Sequence, residues 1–476
     1  MRCLENMSST YDAIILGTGQ AGPSLAGRLT AAGKTVAVVE RGKFGGTCVN
    51  TGCIPTKAMV ASAYAAHMAR RAADFGIQIP GEVIVNMQRI KARKDQISSQ
   101  ARSGVENFLK TMPNCTVYRG HARFLSPRQM LVNGEILSAE SIFVNVGGRA
   151  SIPAIPGLEQ VPYLTNSSMM EVDFLPRHLV ILGGSYIGLE FGQMFCRFGS
   201  RVSIVEQGPR LIAREDEDIS AAIRDILKRE GVDVRLNSHC VRLGKDGDDI
   251  IVSLESDGRK SEIRGSHLLV AAGRRPNTDD LDLQKAGVAM DGRGYILVDD
   301  QLRTTGAGIW ALGDCNGKGG FTHTSYNDFE IIAANLLDGD ARRVSDRILA
   351  YNLYIDPPLG RAGMTGRDAL AYSRQSGKQV WMASRPMTKV GRAVEKGETL
   401  GFMKILVEAG SGAILGAAIL GTGGDEVIHS LLDVMYAKAP YTVIRRAMHI
   451  HPTVSELIPA MLGELKPLGA PAQEIQ

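Results

Sequence analysis

Short apolar runs alternate with helical stretches through much of the chain, and this alternation predicts β-strands joined by helices. The apolar run Tyr11–Leu16 leads through a helical stretch ending near Ala32 to a second apolar run, Thr35–Val39. From about Tyr351 onward, alternating stretches and then helical stretches predict an antiparallel sheet with helices. We therefore predict an α/β fold with a C-terminal α+β domain.

The first apolar run is followed by a glycine pattern. Gly17, Gly19 and Gly22 come directly after it, and Glu40 ends the next apolar run, 23 positions after Gly17. Such glycines allow a tight turn, the close approach of a pyrophosphate and close packing of helix on strand, while the acid binds a ribose. Strand, helix, strand and terminal acid together predict a dinucleotide site.

The same arrangement recurs in the middle of the chain. Gly183, Ser185 and Gly188 follow another apolar run, and Glu206 again lies 23 positions after the first glycine. Ser185 stands where the second glycine would be, so the match is weaker there. Two nucleotide sites in one chain indicate electron transfer between two nucleotides, although either unit alone could be an ordinary βαβ crossover.

Two cysteines lie between the first unit and a helix predicted over Ala58–Arg71. Cys48 and Cys53 are separated by four residues, with glycines nearby. A metal site would need further ligands at suitable spacing, and none lie near, so no metal is predicted. A helix N-terminus favours a thiolate. The pair is predicted to be a redox-active disulfide rather than two buried free cysteines.

These motifs together resemble the pyridine nucleotide-disulfide oxidoreductases, the group of glutathione reductase, dihydrolipoyl dehydrogenase and mercuric reductase. The resemblance implies two Rossmann-like domains, the first binding FAD and the second NADH, with NADPH possible. It places an FAD domain at 1–150, an NAD(P) domain at 151–275, a return to the FAD domain at 276–350 and a dimerisation domain at 351–476. The activity implied is an FAD-dependent NAD(P)H:disulfide oxidoreductase acting on a small oxidant or disulfide.

The resemblance also assigns cofactor residues outside the glycine turns. Lys57 resembles the lysine beside the flavin N5, with Glu190 as its ion-pair partner. Asp314 resembles the acid that binds the flavin ribityl chain, and Ala122 belongs to a segment that touches the FAD adenine. Gly273 ends an apolar strand before a second crossover and is also expected at the cofactor.

Near the C-terminus, His451 is followed by Glu456. Spacing alone favours a structural histidine before a turn, but family members supply such a His-Glu pair from the other subunit of a homodimer. Histidine transfers protons near neutral pH, and a carboxylate orients its ring. By the same resemblance, Cys53 is the sulfur nearer the flavin and Cys48 attacks the substrate. Tyr186 is either a cover for the nicotinamide pocket or a packed core tyrosine.

Differences from the named members of the family narrow the range of possible substrates. The end of the chain, 462–476, lacks the cysteine pair of mercuric reductases, and Gly27 stands where glutathione reductases carry arginine. Dihydrolipoyl dehydrogenase and a mercuric-reductase-like enzyme remain alternatives, and a non-enzymatic FAD sensor would not need the cysteine pair. Segments 357–364 and 440–445 look most like the bacterial reductases of the reactive-chlorine and hypothiocyanous-acid response.

Composition agrees with a multidomain enzyme. The 476 residues are 44% hydrophobic and 22% charged, and this length predicts about three domains. A formal net charge of +4, scattered along the chain, argues against a nucleic-acid partner. No apolar run of about 18 residues and no signal peptide are present, so we expect no membrane partner. Seven widely spread cysteines argue against a disulfide-stapled secreted protein and favour a cytoplasmic location.

Overall fold

The computed structural model describes residues 8–469 of the chain. Its strands in chain order are β1 (Ser8–Leu16), β2 (Val36–Glu40), β3 (Cys115–Arg119), β4 (Ala122–Ser126), β5 (Gln129–Val132), β6 (Glu135–Val144), β7 (Gly148–Ala150), β8 (His178–Leu182), β9 (Arg201–Val205), β10 (Asp233–Arg235), β11 (His239–Asp246), β12 (Asp249–Ser256), β13 (Arg259–Gly265), β14 (His267–Val270), β15 (Arg274–Pro276), β16 (Ile309–Ala311), β17 (Ala350–Leu353), β18 (Leu359–Gly363), β19 (Val380–Pro386), β20 (Phe402–Glu408), β21 (Ile414–Leu420) and β22 (Lys466–Pro467). Its α-helices are α1 (Ala21–Ala31), α2 (Gly46–Asn50), α3 (Cys53–Arg70), α4 (Met87–Thr111), α5 (Tyr186–Phe198), α6 (Glu217–Arg229), α7 (Thr322–Leu337), α8 (Gly366–Ser376), α9 (Gly391–Glu395), α10 (Gly424–Tyr436), α11 (Thr442–Arg446) and α12 (Leu457–Met461).

The first sheet is built on the first predicted βαβ unit. Strands β3, β2, β1, β6 and β16 are parallel, and β5 and β4 continue the sheet in antiparallel pairing. The β1 side chains Ala13, Ile14 and Ile15 are fully buried, as expected where helices cover a parallel sheet. The carboxyl ends of β1 and β2 carry the first glycine turn and Glu40, so both lie at one edge of the sheet.

The second βαβ unit forms a separate parallel sheet in the order β10-β9-β8-β14, with helix α5 between β8 and β9. Strands β11, β12 and β13 form an antiparallel sheet beside it. Strands β7 and β15 pair antiparallel, so the two crossings of the chain between the first and second units lie side by side. The boundaries at 150, 275 and 350 stay predictions, and parts of the outer ranges, 1–7 and 470–476, lie outside the described residues.

The C-terminal part of the chain is the antiparallel sheet expected from its alternating pattern. Its order is β17-β18-β21-β20-β19-β22, and every pairing in it is antiparallel. Helix α10 packs against β18 and β21. The two Rossmann-like sheets followed by this α+β domain confirm the predicted fold class.

Helix α3 packs against helix α5, and this contact positions the candidate site. Met59 and Ala63 of α3 share one buried core with Leu189 and Phe191 of α5. Helix α3 begins at Cys53 rather than at the predicted Ala58. Proline is tolerated in the first turn of a helix, where the N–H groups have no intrahelical partner. Pro55 can therefore lie in the first turn of α3, and the helix begins before it.

Candidate active site

The first glycine turn is tightly constrained. Gly17 has a φ of +96°, and a Cβ atom there would lie 2.4 Å from the Asn145 carbonyl oxygen. A Cβ atom at Gly22 would lie 2.4 Å from the Gly17 carbonyl oxygen. Glu40 faces this turn, since its Oε2 accepts from the Thr18 N–H at 2.9 Å. The turn therefore requires glycine at both positions and keeps its backbone open to a phosphate.

The second turn repeats this geometry. Gly183 has a φ of +116°, and a Cβ atom at Gly188 would lie 2.0 Å from the Gly183 carbonyl oxygen. Oε2 of Glu206 accepts from the Gly184 N–H at 2.7 Å, the counterpart of the Glu40 contact. Ser185 has an extended backbone with a φ of −103°, which any residue can adopt. The serine therefore leaves the turn intact.

A cavity of about 1040 Å³ runs from the first turn to the cysteines. This volume is at the upper end of ligand pockets and suits a dinucleotide. The predicted residues that line it are Gly17, Gly19, Glu40, Cys48, Cys53, Lys57, Ala122, Glu190 and Asp314. The predicted residues outside its lining are Gly22, Gly183, Ser185, Gly188, Glu206, Gly273, His451 and Glu456. The glycine cradle, the terminal acid and the cavity volume together fit FAD.

The two cysteines lie together at one end of this cavity. Cys48 lies in the short helix α2, Cys53 is the first residue of α3, and the two thiols are unbonded. A hydrogen bond from the Cys48 thiol lowers the pKa of Cys53 to about 6. The same hydrogen bond, together with burial, raises the pKa of Cys48. The two opposite shifts favour the thiolate on Cys53 over the thiolate on Cys48.

Lys57 and Glu190 form the ion pair that the resemblance implied. Lys57 Nζ lies 2.7 Å from Glu190 Oε2, and the Glu190 side chain is buried. The second oxygen of Glu190 accepts from the Tyr354 N–H at 3.0 Å, and Lys57 Nζ lies 4.7 Å from the centre of the Tyr354 ring. The pair thus joins α3, α5 and the C-terminal domain beside the cysteines.

Asp314 follows β16 and faces the same cavity. Burial raises its pKa, and the guanidinium of Arg274 at 3.4 Å opposes that rise. The neighbouring Gly313 N–H donates to Asp328 at 2.8 Å. Arg274 was not among the predicted site residues, because arginine next to a crossover gives no sequence signal of a partner 40 positions away.

Comparison with known proteins agrees with this geometry. The model of the pyridine nucleotide-disulphide oxidoreductase family matches residues 11–328, and the dimerisation domain of that family matches residues 349–462. The chain belongs to this family. It is accordingly a flavoprotein oxidoreductase that uses FAD and NAD(P)H, as predicted.

Individual relatives cover nearly the whole chain. The probable pyridine nucleotide-disulfide oxidoreductase RclA of Escherichia coli (strain K12) is 36% identical over 464 residues, 96% of this chain and 99% of that one. A mercuric reductase of Streptomyces lividans is 33% identical, covering 94% of each chain. The solved structure of the HOCl-induced flavoprotein disulfide reductase RclA from Escherichia coli matches with a TM-score of 0.86, 34% identity and coverage of 95% of this chain and 99% of that one.

The predicted His-Glu pair of this oxidoreductase is formed within the dimerisation domain. His451 Nδ1 lies 2.9 Å from Glu456 Oε2, and the histidine side chain is 81% exposed. Met448 and Ile450 beside it are 97% and 79% exposed. His449 contacts only the Ala447 carbonyl oxygen. The pair is therefore assembled at the surface, outside the cavity lining of its own chain.

Three further sequence expectations concern the rest of the molecule. Tyr186 lies at the start of α5, with its ring 5.6 Å from Phe321 at the cavity wall.

Within residues 8–469, no group of three or more metal-binding side chains is found, and no helix is long and apolar enough to cross a membrane. Gly27 is outside the cavity lining, and a Cβ atom there would lie 3.5 Å from the Phe108 ring.

Proposed function

We propose that Cys48 and Cys53 are the redox pair of this oxidoreductase and that the acceptor is a small compound with an electrophilic sulfur. The observation that carries the proposal is that Cys48, Cys53 and Lys57 line the same cavity, the one that fits FAD. The Cys48 thiolate attacks the acceptor sulfur and displaces its leaving group. Cys53 then attacks Cys48 Sγ, which releases the reduced sulfur compound and leaves a Cys48–Cys53 disulfide. Bound FAD, which the first glycine turn, Glu40 and Asp314 would hold, would supply the electron pair from NAD(P)H that reopens this disulfide.

We propose that His451 of the partner subunit is the general acid-base residue that accepts the proton of the Cys48 thiol. Because the pKa of Cys48 is raised, this thiol needs a base before it can attack. His451 and Glu456 lie outside the cavity of their own chain, within the segment matched by the dimerisation family. The exposed Met448 and Ile450 give that segment an apolar surface. A homodimer in which each subunit completes the other's site accounts for both observations.

The charges of the cavity favour a weakly charged acceptor. Cations of the described residues that line the cavity are each paired with a carboxylate: Arg41 with Asp280, Lys57 with Glu190, Arg274 with Asp314, Arg347 with Asp328 and Arg361 with Glu215. Glu330 adds a partly exposed carboxylate to the lining, and its Oε2 lies 3.8 Å from the guanidinium of Arg342, which is outside the lining. A multiply carboxylated disulfide such as glutathione disulfide would find no unpaired cation on these walls.

We expect hypothiocyanous acid or a compact neutral disulfide to exceed glutathione disulfide in kcat/KM by at least about tenfold. A lost charge-assisted hydrogen bond costs about 1.5–3 kcal/mol, which corresponds to roughly 10- to 100-fold. NADH oxidation measured with a panel of these acceptors, lipoamide and mercuric ion tests this. Glu330→Gln should raise kcat/KM for glutathione disulfide more than for the neutral acceptor. Efficient glutathione disulfide turnover, with small oxidants near background, would contradict the proposed acceptor.

We expect NADH to exceed NADPH in kcat/KM by at least about tenfold, since placing like charges together costs several kcal/mol and about 1.4 kcal/mol already corresponds to tenfold. Glu206 stands at the end of β9, where a 2′-phosphate would meet its carboxylate. Arg210 donates to the Ala213 carbonyl oxygen, and Arg214 lies over the Tyr351 ring at 5.3 Å, so neither contacts Glu206. Glu206→Gln should lower the ratio of kcat/KM for NADH to kcat/KM for NADPH. Arg210→Ala is the control and should leave this ratio unchanged. A tenfold preference for NADPH would overturn this assignment.

A further inference from the structure

A threonine from a distant part of the chain contacts the reactive cysteine pair. Thr322 Oγ1 lies 3.1 Å from Cys53 Sγ, although 269 positions separate the two residues. Thr322 is the first residue of the 16-residue helix α7, and Cys53 is the first residue of the 18-residue helix α3. The N-termini of two long helices therefore meet at one sulfur atom.

This meeting favours negative charge on Cys53. The first N–H groups of a helix have no intrahelical partner, and the helix dipole stabilises an anion at that end. A hydroxyl that donates to an anion forms a charge-assisted hydrogen bond, stronger than one between neutral groups. Cys48 lies inside the five-residue helix α2 and lacks a comparable position at a long helix.

We propose that Thr322 is a catalytic residue that donates its hydroxyl proton in a hydrogen bond to the Cys53 thiolate, and so keeps the charge on Cys53 rather than on Cys48. The inference rests on the proposed redox role of the two cysteines. Its consequence is an order of events, because Cys48 keeps its proton until the acceptor is bound and His451 of the partner subunit removes that proton. The reduced enzyme then holds its attacking sulfur as a thiol between turnovers.

The electrostatics of the pair agree with this role. The hydrogen bond from Cys48 is the main cause of the lowered pKa of Cys53, and the hydroxyl of Thr322 adds to it. Thr322 also opposes the rise in the pKa of Cys48. A hydroxyl has one proton to donate, however, and the hydrogen-bond distance in the structure is to Cys53. Lys57 favours the thiolate of both sulfurs, so it does not distinguish them. Between Lys57 and Thr322, only the hydrogen bond of Thr322 favours the thiolate on Cys53 over the thiolate on Cys48.

The test isolates Cys53 in a Cys48→Ser background of the FAD-bound protein. The long-wavelength absorbance from charge transfer between the Cys53 thiolate and the flavin is recorded against pH. We expect Thr322→Val to raise the apparent pKa of this absorbance by about one to two units, since the lost hydrogen bond is to a charged group. Thr322→Ser keeps the hydroxyl and should leave the pKa close to that of the Thr322 protein. Flavin content confirms that each variant is folded.

A second measurement and a second variant separate the outcomes. The pH dependence of Cys53 alkylation by iodoacetamide in the same background gives the thiolate pKa without relying on flavin absorbance, and Thr322→Ala replaces the valine variant if that one loses flavin. An unchanged pKa in the hydroxyl-free variants would overturn the role of Thr322 while leaving the redox pair intact. Absence of charge-transfer absorbance at every pH in the Thr322 protein would instead overturn the proposed function, and this inference with it.

Discussion

A Cys48→Ser variant is expected to keep reduction of its bound FAD by NADH and to lose reduction of the acceptor by about a thousandfold or more, the order of loss when a catalytic nucleophile is removed. The serine hydroxyl is too weak an acid to attack an electrophilic sulfur near neutral pH. Cys53 keeps its position at the start of α3, so the flavin side of the site should be little changed. Stopped-flow reduction and steady-state NADH oxidation measure the two half-reactions separately.

Cys240→Ser provides the matched control for this variant. Cys240 lies in strand β11 and outside the cavity lining, so its removal should leave both half-reactions near the wild-type rate. Acceptor turnover by Cys48→Ser within a few fold of wild type would mean that electrons leave the flavin directly. The Cys48–Cys53 pair would then have no role in the reaction.

The repeated βαβ units could be predicted from the sequence because local constraints fix them. Gly17 and Gly183 have positive φ values, and the glycine five positions after each has no space for a Cβ atom. Such demands leave a pattern in the residues themselves, independent of the rest of the fold. Helix α3 starts five residues before the predicted Ala58, because Pro55 lies in the first turn, where a proline is tolerated, instead of before the helix.

The candidate site is less accessible to sequence reasoning because it joins distant segments. The Lys57–Glu190 pair spans 133 positions, and only the resemblance to a family indicated it. Thr322 was missed entirely, since a threonine at a helix start has an ordinary role in helix geometry and carries no sign of a sulfur partner. The side-chain pairing of the cavity cations likewise follows from tertiary contacts. Charge counts along the chain could not have shown that these cations are paired.

A His451→Ala variant is expected to lower kcat/KM for the acceptor by about 10²- to 10⁴-fold, the usual contribution of a general acid-base residue. Reduction of bound FAD by NADH should be retained, because His451 lies outside the cavity lining of its own chain. His449→Ala is the matched control, since His449 is two residues away, half-buried, and its ring hydrogen-bonds the Ala447 carbonyl oxygen.

Mixed dimers decide whether His451 acts across the interface. A heterodimer of one Cys48→Ser subunit and one His451→Ala subunit, purified with two different tags, is expected to regain about half of the wild-type turnover, because one of its two sites receives an intact Cys48 and an intact His451. Each parent homodimer should stay nearly inactive, which sets the baseline. If both groups acted within one chain, each subunit of the heterodimer would carry one defect, and the mixture would be as inactive as its parents. That result would remove the proposed interface from the mechanism and leave the base for Cys48 to be found in the same chain.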